Sequence, residues 1–189
     1  MTGVAKARAS RSAAAGFTLI EIVVVLLLIA VIAGGAIGVM VNSDADRALK
    51  SSSGEIESLA KRARTVAALQ QRPYALEFFD NRVSLMPLAE AIIEPVEREK
   101  AAVLLELAGT ESGSVHDQWA TEGEMKMSVR RWASDTWIPI DEKSRQVWRF
   151  DPEGFCEPVG VRLETGRSWM EMEFHPLTGG IRYTAKEAY

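Results

Sequence analysis

The chain has 189 residues, 47% of them hydrophobic and 25% charged, and a formal net charge of −4. That is room for one membrane segment and one modest globular domain. A single cysteine, Cys156, excludes an intramolecular disulfide, so the fold must stand on its core, with Cys156 expected inside it as a small hydrophobe.

The charge is unevenly spread. Lys6, Arg8 and Arg11 make the first sixteen residues +3 with no acids, so the remainder carries −7. A basic head before an apolar run fits a cytoplasmic head with the rest of the chain exported. The acidic remainder argues against nucleic acid as the main partner, because phosphate recognition needs a basic surface.

The apolar run opens with Gly16-Phe17-Thr18-Leu19-Ile20-Glu21 and continues to Val41, with Thr18 and Glu21 as its only polar side chains. Ile22 to Val41 is twenty residues without a charge. At ~1.5 Å per residue that is ~30 Å, enough to cross a bilayer core. One reading is a secretory signal peptide cut near Gly34 to Ala36, but the run is about twice the usual h-region and contains Glu21. A plain anchor leaves Glu21 unexplained, since a carboxylate in a membrane is costly. A third reading is a cut after Gly16, which makes Phe17 a new N-terminus one helical turn from Glu21. An ion pair at ~4 Å with an effective dielectric of ~20 gives about 4 kcal/mol. The insertion cost of a central charge is on the order of 3 kcal/mol. Pairing can offset that cost, making Glu21 a register pin between similar helices.

These residues, GFTLIE after a short basic leader, resemble the class III signal of type IV pilins and of the pseudopilins of type II secretion. The resemblance implies cleavage after Gly16 by a membrane-embedded prepilin peptidase. It also implies N-methylation of Phe17 by the same enzyme, and a role for Glu21 in subunit pairing and filament assembly. Many members have a proline within this helix, and here there is none. Gly34 and Gly38 instead form a small-xxx-small pair suited to helix packing, although glycine is also common in membrane helices.

After the exit residues Asn42, Ser43 and Asp44, apolar or small residues fall at Ala48, Leu49, Ser52, Ile56, Leu59, Ala60, Ala63, Val66 and Ala67. That is helical spacing on one face. Lys50, Glu57, Lys61, Arg62 and Arg64 occupy the other face. Ser51-Ser52-Ser53-Gly54 is a weak patch, and Pro73 stops the helix. One long helix from Phe17 to about Gln70 is expected.

Tyr74 to Phe79 and Arg82 to Met86 read as a β-hairpin across Asp80-Asn81, with Tyr74, Leu76 and Phe78 facing Val83 and Leu85. A short helix is expected from about Val96 to Leu107. Its apolar points, with those just before it, are Ile92, Ile93, Val96, Val103, Leu104 and Leu107, and Glu97, Glu99 and Glu106 form a solvated face. Gly109 to Gln118 reads as a polar loop. Alternation marks strands at Met125–Val129, Val159–Glu164 and Trp169–Phe174, with Met170, Met172 and Phe174 inward. Asp151-Pro152-Glu153-Gly154 has type I turn residues, and Thr178-Gly179-Gly180 turns the chain into Ile181-Arg182-Tyr183. Together these indicate an antiparallel sheet covered by the helix.

The later segments resemble the minor pseudopilin H group and related minor pilins. They are Ala60 to Ala68, Gln71-Arg72-Pro73, Trp137-Ile138-Pro139-Ile140, Asp151 to Gly154 and Pro176-Leu177-Thr178-Gly179. Residues 89–118 look like an insertion in that pattern, and the proline-rich, calcium-associated loop of the major pseudopilin is missing.

No catalytic, cofactor or metal site is expected. His116 and His175 lie far apart, Cys156 has no CxxC partner, and no phosphate loop occurs. Trp119, Trp132 and Trp137 suit either an exposed patch or the core, and Asp141 and Glu142 suit a turn better than calcium. Arg162, Arg167 and Arg182 are the residues a DNA-binding tip would use.

The expected fold is α+β and pilin-like: a long N-terminal helix, half membrane and half amphipathic, packed on an antiparallel β-sheet domain. Its parts are a basic leader (1–16), a transmembrane or filament-core helix (17–41), the amphipathic continuation (42–72) and a periplasmic domain (73–189). The resemblance implies a single-pass inner-membrane protein with a cytoplasmic N-terminus that later enters a pseudopilus. Its partners would be prepilin peptidase, other pseudopilins or pilins, and an inner-membrane assembly platform. The alternative is a minor type IV pilin acting in pilus assembly, adhesion or DNA uptake.

Overall fold

In a computed structural model, the described residues are 18–107, 113–121 and 123–187, without the side chains of 32–43, 102 and 104–107. The chain divides into two units, Met1–Met40 and Val41–Tyr189. Helix α1 (Leu19–Gln70) contributes to both.

In the second unit, α1 buries the stripe its spacing predicts. Leu49, Ile56, Leu59, Ala60, Ala63, Val66 and Ala67 are all buried, and Ala48 packs at the edge. The serine patch stays helical, with the Ser53 hydroxyl donating to the Lys50 carbonyl at 2.8 Å. Two residues expected in solvent turn inward. Glu57 accepts the Ile181 N–H at 3.0 Å, and Arg64 donates to the Gly154 carbonyl at 3.0 Å. The helix ends with Gln71 left-handed (φ 51) and the Arg72 N–H returning to the Ala67 carbonyl, a Schellman-type stop before Pro73.

The hairpin forms as its alternation predicts. Strand β1 (Tyr74–Phe79) pairs antiparallel with β2 (Arg82–Pro87), setting Leu76 opposite Leu85 and Phe78 opposite Val83. Asp80 and Asn81 both have positive φ, 49° and 54°, the backbone of a type I′ turn that matches strand twist.

The chain after the hairpin departs from the single sheet expected. Short helices α2 (Leu88–Ala91) and α3 (Pro95–Leu107) come first. Seven strands follow among the described residues: β3 (Asp117–Ala120), β4 (Lys126–Arg130), β5 (Ile138–Pro139), β6 (Gln146–Phe150), β7 (Gly160–Thr165), β8 (Ser168–Phe174) and β9 (Ile181–Glu187). They make two antiparallel sheets, β3-β2-β1-β6 and β5-β4-β7-β8-β9. The division arises at β6, which pairs with β1, while the Asp151–Gly154 turn leads the chain away to the second sheet. The segment read as a loop up to Gln118 ends in the edge strand β3.

One core joins both sheets and α1. At its centre Trp148 lies 4.6 Å from the Phe150 ring and 5.0 Å from Phe174, and its indole N–H donates to the Glu157 carbonyl at 2.7 Å. The turn before β9 packs against α1 so closely that a Cβ on Gly179 would sit 3.2 Å from the Ala60 carbonyl oxygen. Gly179 is also left-handed (φ 65), so both space and backbone require glycine.

The segment after the hairpin packs on the outer face of the first sheet. Ala75, Met86 and Ala91 form a small second cluster there with Leu88 and Val147 at its margin. Pro95 opens α3 at the first helical position, where its missing N–H costs nothing. Of the apolar points noted in this stretch, Ile92, Ile93, Val96 and Val103 are exposed, and the side chains of Leu104 and Leu107 lie outside the description.

Candidate processing and assembly site

Gly16 and Phe17, the expected cleavage and methylation residues, lie outside the described residues. The described part begins at Thr18. Its carbonyl accepts the N–H of Glu21 at 3.1 Å and of Ile22 at 3.3 Å, and its hydroxyl accepts the Glu21 N–H at 3.3 Å. Thr18 is thus the N-cap of α1, and Glu21 stands three residues on, in the first turn. Free N–H groups and the helix dipole favour a carboxylate there. Sequence reading gave Thr18 no role, although the Thr-x-x-Glu spacing of a capping box was the signal that would have found it.

Beyond Glu21 the helix is apolar on every side. Val23, Val24, Val25 and Leu26 are consecutive and 45–60% exposed, and bulky apolar side chains continue outward to Val31. A helix hydrophobic all round needs lipid or other helices about it. Among the described residues no helix is long and apolar enough to cross a membrane. The side chains of 32–43 are not among them. Gly34 and Gly38 fall within α1, and their packing lies outside the description.

The other residues singled out in the sequence occupy separate structural settings. Cys156 is buried with its thiol 3.3 Å from the Pro176 carbonyl, and burial pushes its pKa up to about 11. The His116 ring is 2.7 Å from Glu90, and His175 accepts the Leu177 N–H at 3.1 Å. Asp141 accepts the Lys143 N–H at 2.8 Å within a turn. Among the described residues no group of three or more His, Cys, Asp or Glu could hold a metal ion. Trp119 packs against the core, Trp137 lies under the Arg130 guanidinium at 4.8 Å, and Trp132 is 64% exposed. Arg162 pairs with Glu164 at 2.6 Å and Glu171 at 3.0 Å, Arg182 pairs with Glu173 at 3.0 Å, and Arg167 is exposed in the β7–β8 turn. Glu97 and Glu99 are exposed as expected, and the Glu106 side chain is outside the description.

Sequence reading also missed Glu77. It is 3% exposed on the outer face of β1, 2.5 Å from Arg98 of α3 and 3.3 Å from Arg145. Its isolated position in an apolar strand was the available signal, because a buried carboxylate requires partners.

Comparison with known families finds one match, over residues 11–37, to the prokaryotic N-terminal methylation motif. No curated protein and no solved structure matches the chain. The matched span includes Gly16, Phe17, Thr18, Glu21 and the apolar run to Ile37. Its N-terminal segment is therefore a type IV pilin-like processing and methylation signal.

Proposed function

We propose that the chain is a minor pseudopilin, a structural subunit of the periplasmic pseudopilus of a type II secretion system. The observation that carries the reading is the methylation motif over residues 11–37, continued by a helix whose apolar side chains face outward on all sides. Processing after Gly16 leaves a new amine on Phe17, one turn from Glu21. The Thr18 cap starts the helix at that point and holds Glu21 in its first turn. The chain then performs no chemistry of its own; its activity is assembly, driven in such systems by a separate ATPase.

The H-group resemblance draws support from where its segments lie. The Asp151–Gly154 turn meets Arg64, and the Pro176–Gly179 turn meets Ala60, so both dock on the same stretch of α1. The type IV pilin alternative with DNA as ligand draws none, since Arg162 and Arg182 are already paired with carboxylates.

Mass spectrometry of the mature N-terminus is expected to find methylated Phe17; a chain still starting at Met1 would sink the processing step. Glu21→Ala is expected to insert normally and fail to enter filaments, scored by shear fractionation. Incorporation at the wild-type level would refute the pinning role.

A further inference from the structure

Helix α3 is lightly attached to its unit. Among its described side chains only Pro95 and Arg98 are partly covered, and Arg98 is tied to Glu77 of β1 at 2.5 Å. That ion pair fixes which side of α3 faces the first sheet. At ~100° per residue, Val96 and Val103 stand roughly 140–160° round the helix from Arg98. They point away from the sheet, 64% and 52% exposed, and Ile92 and Ile93 extend the apolar patch in the turn before the helix.

The flanks of this stripe carry opposite charges. Glu99 stands roughly 50° to one side of the line through Val96 and Val103, and Lys100 roughly 50° to the other, at nearly the same height. Both are exposed, and neither has an ion-pair partner among the described side chains. Two valines one heptad apart, with an acid on one flank and a base on the other, are complementary to a copy of themselves. When two such helices lie parallel about a two-fold axis, each valine meets its own copy. The flank bearing Glu99 then meets the flank bearing the second copy's Lys100, twice over. An antiparallel pair would set Glu99 on Glu99 and Lys100 on Lys100, so charge selects the parallel arrangement.

We propose that the outward face of α3 docks a second copy of this chain, the two α3 helices pairing parallel and in register. β-branched residues at the core of a parallel helix pair favour two strands. A membrane surface is a poorer occupant. Helices that lie on lipid border their apolar face with Lys and Arg, and here the border holds Glu97 and Glu99 beside the single Lys100. The helix has 13 residues, a length of ~20 Å. A pair of that length buries less than the roughly 1,200 Å² of a stable interface, so the contact is weak and acts between copies already held close together. It uses only residues of the second unit and stands without the pseudopilin reading.

The test is oxidative cross-linking of the full chain in neutral detergent, with one cysteine added at a time. Cys156 is buried, so the wild-type chain sets the background. Val96→Cys and Val103→Cys are expected to give disulfide-linked dimers. Ala101→Cys, roughly 150° round the helix from the valine line, is expected to stay at background. Within the Val103→Cys chain, Glu99→Lys or Lys100→Glu alone sets like charges face to face, and each is expected to lower the dimer yield about tenfold. Both reversals together restore the pairing and the yield. All these side chains are exposed, so none of the changes is expected to alter folding. The proposal is overturned if the valine positions cross-link no better than Ala101→Cys, or if the dimer yield ignores the single charge reversals. It is also overturned if the double reversal gives no more dimer than the single ones.

Discussion

Glu57 accepts hydrogen bonds from the Lys61 ammonium and the Ile181 N–H, and the Lys61 bond, foremost, holds its carboxyl below the ordinary 4.5. A carboxyl lowered by folding adds stability above its unfolded pKa and loses it as pH falls through the folded value. Wild type is therefore expected to lose melting temperature more steeply than Glu57→Gln between pH 5 and 3. Parallel curves would show that the carboxylate contributes nothing there. Tyr74 is a second decisive residue. Fully buried, its hydroxyl donates to Gln70 at 2.7 Å and accepts the Val115 N–H at 3.1 Å. Tyr74→Phe keeps the ring and strands the Val115 N–H, while Gln70 keeps its bonds from Arg72, an expected loss of about 1–2 kcal/mol in denaturant unfolding. Neither arrangement was legible in the sequence. Glu57 and Arg64 sit on the polar side of a helical wheel, and spacing alone cannot tell a charge facing water from one reaching a distant turn. The N-terminal signal was legible because it is local: a basic leader, a glycine and a carboxylate at fixed offsets.

Among the elements, α2 and α3 are held to the first sheet by one buried carboxylate as well as by packing. Arg98 gives Glu77 two hydrogen bonds and also reaches the Glu90 carbonyl, while Arg145 joins Glu77 to the Ile93 carbonyl and Glu94. Arg98→Ala leaves the buried charge with one arginine, so a loss of about 2–3 kcal/mol is expected, below the 3–5 typical of a fully broken buried pair. Limited proteolysis is expected to cut faster within 88–107, and adding Glu77→Met should restore most of the stability. No change in either measurement would mean packing alone holds α3. Strands β7 and β8 were readable from alternation, and the hairpin from two alternating runs around a two-residue turn. The two-sheet arrangement was not, because it depends on β6 choosing β1, a partner far away in sequence. The exposed Ile92 and Val96 show the limit of periodicity: a helical apolar stripe reveals a face, not its orientation.

At the scale of the whole molecule, the main core of the second unit is organised on Trp148. It is 1% exposed, and its ring meets residues of both sheets. Trp148→Ala is expected to cost about 3–5 kcal/mol and to lower the melting temperature by several degrees or more. A variant melting within a degree of wild type would place the centre of the core elsewhere. The bond from Ile181 to Glu57 spans 124 residues of sequence and sits beside the tight fit of Gly179 on Ala60. This bears on the order of events during synthesis. Helix α1 is made first, so Leu49, Ile56 and Ala60 wait without their full cover until the turn before β9 arrives. A chain stalled short of that turn would present an apolar helix face to proteases, and making that turn becomes the condition for escaping degradation.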